Sequence, residues 1–279
     1  MARDPFALGA SEKNSRNENF PVASFLLPKH IRGHVMAFYN FARAADDVAD
    51  NPGLGPEEKL SILNDMEKTL LGTCIDGDAR FPAAKAMRQS IKDSGVSAIY
   101  CRNLLKAFRQ DAVKSRYYSW QELMDYCLLS AAPVGHYLMD ITGNSSTDKA
   151  PSDALCAALQ VLNHLQDMKE DYLELNRVYI PADWMNAEGA SVSSLAADKT
   201  SAPLKNVQDR MIVEIDRLLF AAEPLGASLS GPLGREASGI RAIAQRLSHK
   251  LKRDDPLSGR VELGKIKSSF WFLYGAIMG

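Results

Sequence analysis

Carboxylate side chains recur at helical spacing in the stretch QVLNHLQDMKEDYLEL. On a helix each residue advances about 100° around the axis, so five polar side chains fall within an arc of about 80°. They are Gln160, Asn163, Asp167, Asp171 and Glu174, and we call the first four the second acidic motif. Like charges four residues apart are unfavourable on a helix. The stretch alone leaves two interpretations open, a solvated acidic face or one wall of a cation-binding site.

An earlier stretch, ARAADDVAD, repeats this spacing. Asp46 and Asp50 are four residues apart with Asp47 between them, and we call these three the first acidic motif. Arg43 precedes Asp46 by one turn, and Tyr39 precedes Arg43 by one turn. Carboxylates from two antiparallel helices would form a cleft of hard oxygen ligands, which suits Mg²⁺ together with phosphate oxygens. Arg43 is either a diphosphate ligand or an ion-pair partner within its own helix.

Helices must position both motifs, and nearly every periodic segment favours a helix. One is predicted from Pro28 to Asp50, because proline suits a first helical position and the following Asn-Pro-Gly ends a helix. Another is predicted to begin after Pro56 and to end at Gly72. Further helices are predicted over 82–93, 96–113, 119–130, 132–142, 152–175, 203–225, 234–253 and 261–276. Period-two strands and hairpin signals are absent from the sequence, so we predict an all-α fold.

Length and composition are those of an ordinary globular chain. Its 279 residues are 46% hydrophobic and 24% charged, enough to bury a core without a disulfide or a structural metal. We expect a flexible segment over 1–17 and a single all-helical domain over 18–279. The Ala/Ser-rich stretch AEGASVSSLAADKTSA is expected to be a surface excursion.

Several functional classes are disfavoured by composition. A net charge of −1 gives no reason to expect a nucleic-acid partner. Four widely spaced cysteines form no CxxC pair and favour a reducing, cytoplasmic location. The polar start is unlike a signal peptide, and FWFLYGAIMG is too short to span a bilayer. Because basic residues precede that apolar end, peripheral contact with the inner face of the membrane stays open beside a core-packed terminal helix.

Taken together, these residues resemble the squalene/phytoene synthase family. The first acidic motif matches the family's DxxxD, and the second matches QxxNxxxDxxxD in full. Tyr126 lies in SWQELMDYCLLSAAPVG, which is similar to a tyrosine-containing family helix that ends in Val-Gly. Asp111 falls at a family position, and NRVYIP, which contains Arg177, resembles the family's Arg–Tyr segment. The resemblance covers about residues 18–255.

Departures from the family pattern indicate one branch. RNENFPVASFLLP stands where many relatives have a Ser/Thr-rich phosphate-binding stretch. Its ENFPV resembles the hydroxysqualene synthase branch of bacterial hopanoid biosynthesis, in which a partner enzyme makes presqualene diphosphate. Gln166 replaces an arginine of relatives, and His164 replaces an apolar residue. Each of the two lies either in a polar pocket that supplies water or on the surface.

The resemblance implies an isoprenoid synthase fold, with many antiparallel helices around a central active-site cavity. It implies two or three Mg²⁺ ions and no NADPH. The cation left by ionisation of presqualene diphosphate would be shielded by Tyr39 and Tyr126, which could also relay protons, and water would quench it to give hydroxysqualene. For Phe38 and Phe41 core packing is favoured. The implied metal ligands are Asp46, Asp47, Asp50, Asp167 and Asp171, and the implied diphosphate-binding residues are Arg43, Gln160, Asn163 and Arg177.

Three alternatives remain. The first is a presqualene diphosphate, squalene or phytoene synthase acting on prenyl diphosphates. The second, from a different class, is a non-catalytic helical interaction protein. The third is a zinc pair formed by His30 and His34 in HIRGH, although the glutamate of a metalloprotease motif and a third ligand are both lacking there.

Overall fold

Helices dominate the structure, a computed structural model that describes residues 27–73 and 79–264. Within these ranges the β-type pairing is limited to one isolated parallel bridge between Arg116 and Val178. The all-α prediction is therefore confirmed. The predictions for 1–17, for ENFPV and for the C-terminal FWFLYGAIMG lie outside the described residues.

The chain divides into two compact units, which we describe separately. Unit 1 comprises the chain up to Val113 together with Asp140–Gly143. Unit 2 comprises Lys114–Met139 and the chain from Asn144 onward. The expectation of one domain over 18–279 stays a prediction.

The described part of unit 1 contains four complete helices, of which α1 contacts each of the others. The inward face of α1 is apolar at three-and-four spacing and includes Ile31, Val35, Phe38 and Phe41. Burial of each such side chain contributes about 1.5–3 kcal/mol, which fixes the rotation of α1 about its axis. The four helices are α1 (Lys29–Ala49), α2 (Pro56–Leu71), α3 (Pro82–Ser94) and α4 (Ile99–Val113).

The ends of α2 follow from local sequence, as predicted. Pro56 occupies the first turn, where its missing N–H costs nothing. The Glu58 carboxylate accepts a hydrogen bond of 2.9 Å from the Gly55 N–H, which satisfies a group that the helix leaves without a partner. Gly72 ends the helix with φ +74°, a left-handed conformation that favours glycine.

Unit 2 is organised around one buried helix, α7, which contacts α5, α8, α10 and α12. Its side chains are buried around most of its circumference, as expected for a central helix. The last two residues of α6 belong to unit 1. The helices are α5 (Trp120–Ser130), α6 (Ala132–Ile141), α7 (Ala150–Gln166), α8 (Met168–Leu175), α9 (Ala182–Glu188), α10 (Ala202–Ala221), α11 (Leu225–Ser228) and α12 (Pro232–Leu251).

The continuous helix predicted over 152–175 is wrong, because the chain breaks at Asp167. This residue has φ −104° and ψ 8° and separates α7 from α8. Its N–H still donates to the Asn163 carbonyl at 2.9 Å, and its carbonyl accepts from the Asp171 N–H at 2.8 Å. The chain therefore stays close to a helical path through the second acidic motif. Neither proline nor glycine marks the break in the sequence.

Other element boundaries also differ from the predictions. The helix predicted over 203–225 ends at Ala221 and is followed by the short α11, and α9 was not predicted. Residues 261–264 are not helical, and the rest of the helix predicted over 261–276 lies outside the described residues. The Ala/Ser-rich stretch is mostly exposed, but Leu195 in its 3₁₀ turn is fully buried and anchors it. None of the helices in the described ranges has the length and apolar character needed to cross a bilayer.

We expect Gly234→Ala to destabilise the protein by about 1–3 kcal/mol. A Cβ at Gly234 would lie 2.4 Å from the Gly226 carbonyl oxygen and 2.8 Å from that of Leu229, and backbone atoms cannot swing aside. Urea unfolding measures the change. Gly33→Ala is the matched control, because a Cβ on that helical glycine meets nothing within 4 Å and alanine is the better helix former. Equal stability of the two variants would contradict the packing argument.

Candidate active site

The first acidic motif occupies the C-terminal turn of α1 in unit 1. The Arg43 guanidinium lies 2.7 Å from Asp46 Oδ2 and 3.2 Å from Asp47 Oδ1. Asp50 follows the last helical residue, and its N–H donates to the Asp46 carbonyl at 2.9 Å. The structure thus shows the intrahelical ion pair that was one alternative for Arg43. Diphosphate binding by Arg43 stays a prediction.

Like charges crowd this motif. Burial raises the pKa of Asp46 to about 7, and the Asp50 carboxylate acts in the same direction. Arg43 opposes the shift, whereas Asp111 and Asp47 add to it. Asp111 is a buried residue of α4, and the resemblance had marked it without assigning it to the site. The motif is therefore a concentration of negative charge that a bound cation would relieve.

The aromatic residues of α1 divide into two groups. Tyr39, one turn before Arg43, is half-buried. Phe38 and Phe41 are only 4% and 0% exposed, in agreement with the expectation that both are core residues. A role for Tyr39 beside a cation stays a prediction.

The second acidic motif lies in unit 2, where α7 gives way to α8. The side chains of Asp167 and Asp171 are 17% and 19% exposed, whereas Glu174 is exposed. The acidic stripe is therefore narrower than predicted. Arg260, from the segment after α12, forms an ion pair with Asp167. Because the two residues are distant in sequence, local spacing gave no signal for this arginine.

The electrostatics at Asp167 resemble those at Asp46. Burial raises the pKa of Asp167 to about 6, and Arg260 opposes that shift. The carboxylates of Asp171 and Glu170 raise the pKa further, and His164 lowers it. Each unit therefore holds a half-buried aspartate whose ionised form is disfavoured by burial and by neighbouring carboxylates.

His164 links two residues of the second acidic motif. Its Nε2 lies 3.2 Å from Gln160 Nε2, and its Nδ1 lies 3.9 Å from Asp171 Oδ2. The residue is 5% exposed, so the surface alternative for His164 is wrong. Gln166 is also buried, but its amide donates to the Val261 carbonyl at 2.6 Å. Gln166 therefore supports the segment that carries Arg260.

Four rings form an aromatic cluster in unit 2: Tyr117, Tyr126, His164 and Tyr179. The His164 ring stacks on Tyr179, with centroids 3.6 Å apart and planes 13° apart. Tyr179 also stacks on Tyr117 at 5.4 Å. Tyr126 is tilted against Tyr117 at 5.2 Å and against Tyr179 at 5.6 Å. Tyr126 was predicted as a site residue, and the structure adds the other three rings around it.

Hydrogen bonds hold the segment that follows α8 in place. Asn176 adopts a left-handed conformation with φ +51°, and its side-chain oxygen accepts from Arg116 at 2.7 Å. The Arg177 N–H donates to the Asp171 carbonyl at 2.9 Å. Arg177 and Tyr179 are each 7% exposed, so both side chains are buried although they follow directly after a helix end. The asparagine after α8 is the local signal for the turn.

Unit by unit, the structure brings most of the predicted residues together. In unit 1 the first acidic motif, Arg43 and Asp111 share one region. In unit 2 the predicted residues lie around His164 and the aromatic cluster. They are Gln160, Tyr126, Asp167, Asp171 and Arg177. Asn163 is half-buried beside them on α7. Joint action of the two motifs stays a proposal.

Metal binding is supported by the chemistry of the donors. Within 27–73 and 79–264, no three His, Cys, Asp or Glu side chains are arranged to hold a metal ion. Crowded carboxylates are nevertheless the ligands that Mg²⁺ prefers, and both motifs supply them. The zinc alternative is disfavoured, because His30 is exposed and His34 Nδ1 lies 2.8 Å from Ser90 Oγ.

Comparison with known proteins agrees with the fold and the motifs. The profile of the family described as Squalene/phytoene synthase matches residues 14–267. A hydroxysqualene synthase of Rhodopseudomonas palustris is 43% identical over 92% of this chain and 87% of its own length. Another, of Zymomonas mobilis, is 40% identical over 92% of this chain and 86% of its own length. The solved squalene synthase HpnC of Alicyclobacillus acidocaldarius is 27% identical, covering 83% of this chain and 87% of its own, with a TM-score of 0.71.

The class that the fold and the site define is the helical isoprenoid synthase. More particularly, the chain belongs to the squalene/phytoene synthase family, whose chemistry acts on prenyl diphosphates. This membership favours an enzyme over the non-catalytic helical protein that the sequence alone left open.

The segment that carries Arg260 is anchored by Asp255. Its carboxylate accepts hydrogen bonds from the Thr200 N–H at 2.8 Å and from the Leu257 N–H at 2.9 Å. Burial acts to raise the pKa of Asp255, but bonds from Thr200, Leu257 and Ser258 outweigh it and lower the pKa. Because the folded pKa is below the unfolded value, the carboxylate contributes stability above its unfolded pKa, about 4, and loses that contribution as pH falls.

We therefore expect Asp255→Asn to cost about 1–3 kcal/mol of stability at pH 7 and less near pH 4. Urea unfolding at the two pH values measures the difference. Asp209→Asn is the control, because Asp209 is an exposed partner of Lys205 and such pairs contribute little. A pH-independent loss in Asp255→Asn would show that the carboxylate charge is not what anchors the segment.

Proposed function

We propose that this protein is a hydroxysqualene synthase, which converts presqualene diphosphate to hydroxysqualene in hopanoid biosynthesis. The observation that carries the proposal is the identity of 40–43% to three hydroxysqualene synthases over 92% of the chain. Phytoene synthases are less similar, for example 26% identical for that of Pantoea ananas. The substrate would come from a partner enzyme that makes presqualene diphosphate.

The two acidic motifs would hold magnesium ions, two or three in number. Asp46, Asp47 and Asp50 are the proposed ligands in unit 1, and Asp167 and Asp171 those in unit 2. Bound magnesium supplies charge that stabilises a departing diphosphate. Burial raises the pKa of Asp46 and of Asp167, and neighbouring carboxylates raise it further. This supports the assignment, because a bound cation stabilises the ionised form of both groups.

Other side chains would bind the diphosphate and shield the organic cation. Arg43 and Arg177 offer guanidinium groups, which suit phosphate oxygens, and Gln160 and Asn163 offer amides. The faces of Tyr126 and Tyr39 would stabilise the carbocation, since an aromatic face attracts positive charge. Burial of Tyr126 among three other rings supports this role, because a dry aromatic wall prevents premature quenching by bulk water.

Squalene synthesis is the second candidate. It is favoured by the similarity to the solved squalene synthase, at 27% identity. The two candidates differ in how the cation ends, by water in the first and by hydride from NADPH in the second. The expectation that NADPH is not needed is part of the first proposal.

Peripheral contact with a membrane is a further part of the proposal, because a thirty-carbon product must leave into lipid. Exposed basic residues at the end of α12, among them His249, Lys252 and Arg253, would face the anionic inner leaflet. The basic and aromatic C-terminal stretch, which lies outside the described residues, would add apolar contact.

The reaction itself provides the first test. We expect the purified protein to convert presqualene diphosphate to an alcohol and diphosphate with Mg²⁺ and without NADPH, and chelation by EDTA to stop both products. Product analysis by mass spectrometry measures the outcome. Squalene formed only when NADPH is added would support the second candidate. Presqualene diphosphate accumulating from farnesyl diphosphate would place the protein at the preceding step.

Isosteric substitution tests the proposed metal ligands. We expect Asp50→Asn and Asp171→Asn each to lower the rate of diphosphate release about 10²–10³-fold, corresponding to about 3–4 kcal/mol of transition-state stabilisation. The helical circular dichroism should persist. Asp93→Asn is the matched control, because Asp93 is exposed on α3 and contacts Gln89. Full activity in both test variants would rule out metal binding at these motifs.

Flotation with liposomes tests the membrane proposal. We expect the full chain to float with anionic liposomes, to float less at high salt, and to stay in solution when residues 265–279 are removed. The truncation starts after Gly264, because the Val261 carbonyl is needed by Gln166. Neutral liposomes are the control. Equal flotation of the full and truncated chains would exclude the C-terminal stretch as the contact.

A further inference from the structure

The aromatic cluster contains one ring that is not a tyrosine, and that ring carries nitrogen atoms on its edge. His164 is 5% exposed, and its face is covered by Tyr179 at 3.6 Å. Stacking fixes the plane of the imidazole, because rotation would drive its edge into the tyrosine ring. The two nitrogens therefore point in fixed directions along that plane, one toward Gln160 and one toward Asp171.

The contact with Gln160 sets which nitrogen carries the proton. Gln160 Nε2 lies 3.2 Å from His164 Nε2. An amide nitrogen donates and cannot accept, so the imidazole Nε2 accepts this hydrogen bond. The proton of the neutral ring then lies on Nδ1, which is the nitrogen that faces Asp171.

The contact between His164 and Asp171 is longer than a hydrogen bond. His164 Nδ1 and Asp171 Oδ2 are 3.9 Å apart, which is too long for a direct hydrogen bond. One water can serve both groups across such a distance. It would accept from the Nδ1–H and donate to the carboxylate, which leaves its second lone pair free for attack on an electrophile.

We propose that His164, together with Asp171, positions the water that captures the carbocation, and so determines that the product is an alcohol. This inference rests on the proposed function. In the step, the water oxygen forms a bond to the cationic carbon, and one O–H bond of that water breaks. The proton passes to the released diphosphate, the base that the reaction itself generates, so no oxidant or reductant is needed.

The alternative fate of the cation gives a measurable difference. Without a positioned water, the cation loses a proton from a neighbouring carbon to the same diphosphate and becomes a hydrocarbon. Ionisation of the substrate precedes both fates. A specificity-determining residue therefore changes the ratio of alcohol to hydrocarbon while the release of diphosphate persists, whereas a residue needed only for packing changes both together.

His164→Phe tests the proposal, because phenylalanine keeps a flat ring against Tyr179 and removes both nitrogens. We expect diphosphate release from presqualene diphosphate with Mg²⁺ to stay within about threefold of the parent protein. The ratio of alcohol to hydrocarbon should fall at least about tenfold. His164→Asn should restore part of the alcohol, since its amide N–H can still donate to a water.

Two further variants keep the outcome interpretable. His136→Phe is the matched control, because His136 also pairs with an aspartate in unit 2, Asp153, at 2.5 Å. We expect it to leave the product ratio unchanged. If His164→Phe does not fold, His164→Met, whose flexible side chain adapts to irregular space, removes the nitrogens instead and should lower the ratio in the same way.

Three results would overturn the inference about His164. The first is an unchanged product ratio in a folded His164→Phe or His164→Met. The second is an equal loss of diphosphate release and alcohol in those variants, which would place His164 in ionisation. The third is a loss of alcohol in Tyr126→Phe but not in His164→Phe, which would assign the water to the phenol. If the parent protein itself forms no alcohol, the proposed function fails first, and that outcome is distinguishable from all three.

Discussion

Repulsion between carboxylates that are partly removed from water is the constraint on which both acidic motifs depend. At Asp46 burial and the charge of Asp50 act together, and at Asp167 burial and the charge of Asp171 do so. Helix geometry imposes this crowding, because residues four apart stack on one face. Neither cluster of carboxylates is favourable by itself. Asp46 is paired with Arg43, and Asp167 is paired with Arg260. The two motifs therefore share one electrostatic design, a negative cluster that is incompletely balanced by the protein's own cations.

The balancing arginines come from different places, and this has a physical consequence. Arg43 is carried by the same helix as its partners, so its ion pairs form as soon as α1 forms. Arg260 reaches Asp167 from a segment that Asp255 and Gln166 hold in place. A cation that binds Asp46 or Asp167 shares that carboxylate group with Arg43 or Arg260, so its binding weakens the ion pair. Occupation of the second motif is thus linked, through Arg260, to the position of the segment after α12.

The sequence predicted the parts of this arrangement that local rules control. Prolines, glycines and apolar periodicity predicted the four helices of unit 1 and most of those in unit 2, since caps and amphipathic faces act over a few residues. The break at Asp167 was missed, because neither proline nor glycine marks it in the sequence. Arg260 and Tyr117 were missed for a related reason. Each reaches the site from an irregular segment, and side chains in such segments follow no period from which their direction could be predicted.

His164 and Gln166 both differ from the residues that relatives have, but the role of each depends on the residues that surround it. Both depart from the residue types expected by resemblance, both are polar, and both are buried on the last turn of α7. Two residues on a helix point about 200° apart, so the two side chains must enter different surroundings. The Gln166 side chain contacts the backbone: its amide donates a hydrogen bond to the Val261 carbonyl, which stabilises the fold. His164 enters the aromatic cluster beside Asp171, where a nitrogen atom among tyrosine rings can hold a polar reactant. Burial of a polar group costs free energy unless the group is hydrogen-bonded, so the partners of each side chain decide its role. Gln166 has a backbone partner, whereas the partners of His164 are site residues.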